Sequence, residues 1–414
     1  MGAANGSVAH IAWLGKKSPF CGNVTYGLTT THALRSRGHG ISFIHFDTPA
    51  TSLGRQAPAE RVSDRVGDNE RDEANGENPE VALPYLVKGQ VYTIPSLGAQ
   101  RELRESLARL RPDLVHASLT LSPLDFLLPD LCQQLGLPLV ATFHPPFDAS
   151  LRNLTAGTQQ LTYQLYAPSL ARFDRVIVFS EIQAEVLQRL GVPHERLAVI
   201  PNGVDTTLWR PGHPSSDTPE LAELRRRFAG QRLFLYMGRV ATEKNVEALL
   251  KAWRLVRPAG CVLVIVGDGP ARAALQQSSA DDASVIWWGY EPSLERRVAF
   301  QQLAEVFLLP SLVEGLSLAL LEAMAAGSAC VATDAGADGE ALEGGAGIVI
   351  STQGVTTQLR TLLPVLRDQP VLTAELGRRA RARALERYTL KGNIQALERL
   401  YQELLSGRPN LVAA

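Results

Sequence analysis

The feature that most constrains this chain is a rhythm of apolar strand, glycine loop, helix and apolar strand, which runs, breaks and starts again. His10-Ile11-Ala12-Trp13-Leu14 is a short apolar run closed by Gly15. A helical pattern covers 24–37, Gly38-His39 stops it, and 41–46 is a second apolar run. Strand, loop, helix and strand within about forty residues make a βαβ unit, whose crossover forces the strands parallel. Further strand-like runs lie at 114–116, 139–143, 176–180 and 197–200. Pro201-Asn202-Gly203-Val204-Asp205 is a turn-rich break, and 211–219 after it is poor in apolar residues. The rhythm then resumes, with strands expected at 233–238, 261–266, 285–289, 306–310, 329–333 and 347–350. Helices are expected at 245–253, 317–326 and, rich in arginine, 372–405. Two successive series predict an α/β chain of two doubly wound, Rossmann-like domains.

A length of 414 residues suits two domains rather than one. The expected division is 1–203 and 204–385, with a terminal helix, 386–414, packing back on the first domain. One stretch, 48–80, has almost no large apolar residue, so it is expected to be a mobile surface insertion, with a functional lid as the alternative. A formal net charge of −1 gives no reason to expect nucleic-acid binding. The cysteines Cys21, Cys132, Cys261 and Cys330 form no C-x-x-C pair, and Cys261 and Cys330 read as buried small hydrophobes. Residues 1–7 lack the basic segment and apolar core of a signal peptide. The apolar stretch 306–332 contains Pro310, Glu314 and Glu322, which a membrane span would carry at high cost, so no transmembrane helix is expected.

Glu314-Gly315-Leu316-Ser317-Leu318 lies just past a strand and opens a helix, where open α/β sheets bind ligands. Free backbone N–H groups of Leu316, Ser317 and Leu318 would make an anion site there, helped by the helix dipole. Glu322, on the first turns of that helix, and Glu314, on the loop before it, could each hold sugar hydroxyls. Taken alone, the same two carboxylates are also what an ordinary solvated helix start carries. Gly238-Arg239 with Lys244 again follows a strand and precedes a helix. Arg and Lys at that spacing can converge on a diphosphate, Arg as a planar fork and Lys as a point charge. A pair of solvated surface cations is the bland alternative. Lys16-Lys17-Ser18-Pro19-Phe20 after the first strand places two cations and an aromatic near the cleft mouth. It could touch anionic lipid headgroups or be a solvated loop.

With these motifs in place, the second half resembles the retaining glycosyltransferases of family 4, which have the GT-B fold of two Rossmann-like domains facing across a cleft. The resemblance rests on the Glu314/Glu322 pair, on Gly238-Arg239 with Glu243-Lys244, on Val266-Gly267-Asp268-Gly269-Pro270 and on Ile200-Pro201-Asn202-Gly203-Val204-Asp205. The first half matches more loosely, through 22–27, Arg37-Gly38-His39 and Thr142-Phe143-His144. The resemblance implies a nucleotide-sugar donor, with Arg239 and Lys244 on the diphosphate, Glu322 on the ribose and Glu314 on the transferred sugar. It also implies His144 near the reacting centre and backbone amides of Gly22-Asn23 approaching the donor from the opposite domain. Family members commonly carry Glu-Gly-Phe-Gly where this chain has Glu314-Gly315-Leu316-Ser317, which leaves the donor sugar open. No D-x-D motif occurs, and Arg, Lys and a helix N-terminus can hold a diphosphate without a metal. The expectation is therefore metal-independent transfer with no cofactor, and the resemblance implies retention.

The first-half segments 11–17, 21–27 and 116–125 further resemble a cyanobacterial branch of the family that makes digalactosyldiacylglycerol. That implies a UDP-hexose donor, a lipid or glycolipid acceptor and a cytoplasmic enzyme with peripheral membrane contact. The alternatives are a soluble or polysaccharide acceptor, a nucleotide-sugar epimerase of the same fold, and an inactive sugar-nucleotide sensor.

Overall fold

A computed structural model describes residues 8–18, 21–47, 79–89, 92–147, 156–212 and 217–407. All but the last two residues of the insertion read at 48–80 lie outside that set, as do Pro19 and Phe20.

The first domain holds strands β1 (His10–Leu14), β2 (Gly40–Phe46), β3 (Val81–Leu83), β4 (Tyr85–Lys88), β5 (Thr93–Pro95), β6 (Leu114–Ser118), β7 (Leu139–Thr142), β8 (Arg175–Val178) and β9 (Leu197–Val199). The second holds β10 (Arg232–Met237), β11 (Cys261–Val266), β12 (Val285–Gly289), β13 (Val306–Leu309), β14 (Ala329–Thr333) and β15 (Ile348–Ile350). The first sheet has the order β3-β2-β1-β6-β7-β8-β9 and the second β12-β11-β10-β13-β14-β15. Every pairing in both is parallel. The reason is legible in β11: all six residues of Cys-Val-Leu-Val-Ile-Val are buried, because helices cover both faces of the sheet. Each such aliphatic side chain stabilises the fold by about 1.5–3 kcal/mol. Cys261 and Cys330 lie buried in β11 and β14, as read from the sequence.

Strand order reverses direction between β1 and β6 in one sheet and between β10 and β13 in the other. Crevices outside the carboxyl ends of strands at such switch points are where ligands bind in this architecture. The loop that leaves β7 meets the loop that leaves β13, where Phe147 N–H donates to Glu314 O.

The chain passes between domains twice, side by side. Val204 bridges Thr389, with Val204 N–H donating to Tyr388 O and Leu390 N–H to Val204 O, both at 2.9 Å. A side chain at Gly203 would collide with the backbone of Thr389 and Leu390. The arginine-rich tail is two helices, Pro370–Arg387 and Leu390–Ser406, where the sequence suggested one. The interruption is a local cap: Thr389 Oγ1 accepts the N–H of Gly392 at 3.0 Å. The last helix returns to the first domain, where Glu398 pairs with Arg37 at 2.5 Å. Among the described residues, no helix is long and apolar enough to cross a membrane.

The small hairpin β4–β5 was not visible in the sequence. Its strands are four and three residues long and form a sheet of their own, too short for an alternating pattern to register.

Candidate functional site

The second domain builds its half of the site by tying two loops together. Tyr236, at the end of β10, donates its hydroxyl to Arg239 O at 2.7 Å and so shapes the turn at Gly238. The chain continues through a single helical turn, Thr242–Lys244, to Asn245 in the left-handed region at φ 53°. Asn245 Nδ2 donates to Pro310 O at 3.2 Å, and Leu312 N–H donates to Glu243 O at 2.8 Å. The loop after β10 is thereby fastened to the loop after β13. That brings Lys244 Nζ to Glu314 Oε1 at 2.5 Å, while Ser311 Oγ donates to the same oxygen at 2.8 Å. Arg239 pairs with Glu243 rather than with Glu314. Gly267, at φ 139°, is required by the close approach of these loops, because a Cβ there would overlap the carbonyl of Gly238.

The helix Leu318–Ala326 starts at Ser317, whose Oγ accepts the N–H of Leu320 at 3.4 Å. One expectation is corrected here. The N–H of Ser317 is not free for an anion, because Asp338 Oδ1 accepts it at 2.8 Å. The amides of Leu316 and Leu318 have no hydrogen-bond partner among the described residues, so the anion site is narrower than the sequence suggested. Asp338 is fully buried, and its carboxyl is pushed well above the usual range by burial and by the charge of Glu314 beside it. The sequence reading missed Asp338. Its position past the end of β14, after Gly336, is the signal that could have found it. Glu322 lies on the second turn of the helix, part-exposed yet closely surrounded, and burial pushes its carboxyl up to about 7 against the opposing pull of Arg297.

The first domain contributes the N-terminus of the helix Gly22–Ser36 and the residue after β7. Gly22 opens that helix with nothing close to where a Cβ would stand. Asn23 is engaged through its side chain: Nδ2 donates to Leu119 O at 3.0 Å, and Oδ1 accepts from Ser118 Oγ at 2.9 Å. His144 Nε2 lies 2.8 Å from the same Ser118 Oγ. Its ring packs edge-on to Tyr26 and is tilted against Phe179. Burial depresses the His144 imidazole to about 3, so it is neutral at physiological pH. Beneath it, His116 stacks on Trp13, with Nδ1 2.5 Å from Tyr401 OH and Nε2 2.7 Å from Thr142 Oγ1. The final helix thus reaches under the site through Tyr401. Ser118 and His116 were also missed. Their only signal is that both belong to β6, beside the switch point.

The two halves touch. Phe147 N–H donates to Glu314 O at 3.3 Å, and Asn202 Nδ2 donates to Leu316 O at 3.2 Å. A Cβ on Gly315 would stand 3.3 Å from His144 O. The Glu314–Gly315–Leu316 loop, with Lys244 on Glu314, therefore meets the first domain at His144, Phe147 and Asn202, and Asn23 is joined to His144 through Ser118. The Arg239 and Glu322 side chains make no hydrogen bond with these residues among the described residues: Arg239 pairs with Glu243, and Glu322 feels the charge of Arg297. Among the described residues, no three His, Cys, Asp or Glu side chains gather as a metal site.

Residues 22–208 match the model of Glycosyltransferase Family 4, and residues 231–368 match that of Glycosyl transferases group 1. The chain belongs to the group 1, family 4-type glycosyltransferases. This glycosyltransferase is 28% identical to the alpha-maltose-1-phosphate synthase of Mycolicibacterium smegmatis over 61% of its own length and 70% of that enzyme. It is 27% identical to the alpha-monoglucosyldiacylglycerol synthase of Streptococcus pneumoniae, over 49% of its length and 47% of that protein. Anabaena HepE, solved with UDP-glucose, superposes with a TM-score of 0.72 at 19% identity, covering 97% of this chain and all of HepE. The fold of this glycosyltransferase is accordingly GT-B.

The cations read at Lys16 and Lys17 are both engaged within the protein. Lys16 is buried, with Nζ donating to Gly89 O at 3.3 Å, and Lys17 pairs with Glu80 while standing over the Phe43 ring. Neither cation of this glycosyltransferase is offered freely to an anionic headgroup.

Proposed function

We propose that this enzyme transfers a hexose from a UDP-hexose to a glycolipid at a membrane surface, with retention and without a metal. Galactose passing from UDP-galactose to monogalactosyldiacylglycerol is the specific case. The observation that carries the reading is the fastened pair of loops that sets Lys244 on Glu314 and brings the Glu314–Gly315 loop to the segment holding His144 and Phe147. In this reading Lys244 and Arg239 hold the diphosphate, assisted by the open amides of Leu316 and Leu318. Glu322 holds the ribose, and Glu314 and His144 hold the hexose. The bond from the anomeric carbon to the diphosphate oxygen breaks as the acceptor hydroxyl bonds to the same face. The acceptor proton goes to a departing phosphate oxygen. The cations that hold the leaving diphosphate supply the charge stabilisation a metal would otherwise give.

The donor assignment is supported by HepE, which was solved with UDP-glucose. A lipid acceptor is supported by the name of the S. pneumoniae relative and by the hairpin β4–β5. Leu86, Val87, Tyr92 and Ile94 are all exposed there, Leu86 at 68%, with Leu97 just beyond. Residues 84–98 carry a single charge, Lys88, whose ammonium turns inward to Phe46 O at 2.7 Å and Ser18 Oγ at 2.8 Å. The hairpin is held beyond the carboxyl ends of β1 and β6 by Lys16 on Gly89 O and by Thr93 N–H on Leu121 O at 3.4 Å, the same end of the sheet as His144. A hairpin whose exposed side chains are apolar, at the same end of the sheet as His144, suits contact with a bilayer interface.

The test is a screen of radiolabelled UDP-galactose, UDP-glucose and GDP-mannose against total membrane lipid extract. Label in a glycolipid from a UDP-hexose is expected; label only from GDP-mannose, or none in lipid, overturns the assignment. Co-sedimentation with phosphatidylcholine vesicles should fall several-fold in Leu86→Asp/Ile94→Asp, and equal sedimentation would remove the hairpin from the reading. A soluble acceptor is the second reading, favoured by the alpha-maltose-1-phosphate synthase relative. It predicts label in water-soluble product instead.

A further inference from the structure

The hydrogen bonds around Asn23 leave only one arrangement of protons, and it reaches His144. Asn23 lies near two groups, Leu119 O and Ser118 Oγ. A carbonyl oxygen can only accept, so the amide nitrogen of Asn23 must face Leu119 and its oxygen must face Ser118. That oxygen can only accept, so the Ser118 hydroxyl spends its one proton on it. Ser118 Oγ then has only lone pairs left for His144 Nε2, 2.8 Å away. Two lone pairs cannot share that contact, so Nε2 must carry a hydrogen. A neutral imidazole has one N–H, so Nδ1 is bare.

We infer that Asn23 and Ser118 are positioning residues that fix His144 as its Nε2–H tautomer, so that Nδ1 recognises a hydroxyl donated by the substrate sugar. His144 Nδ1 makes no hydrogen bond among the described residues, the residue is only partly buried, and its backbone carbonyl lies against Gly315. The burial that keeps this imidazole neutral supports the assignment. The ring cannot reorient cheaply, since Tyr26 and Phe179 pack against it with centroids 4.9 and 5.2 Å away. Only the sugar-contact half rests on the proposed function; the tautomer stands on the hydrogen bonds alone.

Protein labelled with 15N-histidine reads the tautomer directly by NMR. In the wild type, His144 should show a protonated Nε2 and a pyridine-like Nδ1. Asn23→Ala frees the Ser118 proton to point at Nε2, so the Nδ1–H form should become populated. Asn23→Asp gives up the donation to Leu119 O but keeps an acceptor for Ser118, and should hold the wild-type tautomer, which a merely structural role for Asn23 would not require. Loss of one correctly matched hydrogen bond should lower kcat/KM for the donor about tenfold in Asn23→Ala, with less loss in Asn23→Asp. A wild-type Nδ1–H signal, or an Asn23→Ala spectrum matching the wild type, overturns the relay. A switched tautomer with unchanged kinetics overturns the sugar contact while leaving the relay standing.

Discussion

Lys244→Ala is the most exposed test of the site. Lys244 Nζ meets Glu314 Oε1 at 2.5 Å, and its side chain retains 21% of its surface, so it is half-sheltered yet able to reach a ligand. If it stabilises charge on the leaving diphosphate, its loss resembles removal of one preorganised donor, about 10²–10³ in kcat or ~2.7–4 kcal/mol. The substitution also leaves Glu314 facing Asp338 with only Ser311 to satisfy it. An orphaned carboxylate of that kind costs about 1–3 kcal/mol of stability, or roughly 2–4 °C per kcal/mol in a domain of this size. The two effects separate experimentally. Lys244→Met combined with Glu314→Gln should recover most of the melting temperature, since no buried charge is stranded, yet stay as inactive as the single variant. Initial rates with radiolabelled donor and a thermal melt on the same preparations decide it. A kcat within threefold of wild type for Lys244→Ala would refute the reasoning.

Two further outcomes follow from the same geometry. Glu322 titrates near 7 in the folded chain against an ordinary 4.5, so between those values the folded state keeps a proton that the unfolded state has lost. Stability from this group is therefore full below about 4.5 and is lost as pH rises through about 7; Glu322→Gln should flatten that slope in denaturation curves taken from pH 4.5 to 8. Transfer should survive exhaustive EDTA treatment, and complete loss restored by Mg²⁺ would overturn the metal-free mechanism.

How much of this was legible in the sequence depends on how local the cause was. Continuous apolar runs such as Cys261–Val266 determine parallel, doubly buried strands by themselves, because no alternating pattern competes. Their repetition around a turn-rich break determines two doubly wound domains. The motif residues Arg239, Lys244, Glu314 and Glu322 stand at strand ends and helix starts, so their spacing marked a candidate ligand site. The tertiary structure decided what each of them touches. Lys244 reaches Glu314 because Asn245 and Leu312 fasten two loops that lie far apart in sequence. The N–H of Ser317 is lost to Asp338, a residue from a different strand end. The proton on His144 is set by Ser118 and Asn23, which only the β1–β6–β7 order brings to one place. Strands and helices follow from patterns within a few residues, whereas the direction of each hydrogen bond follows from partners that only folding supplies.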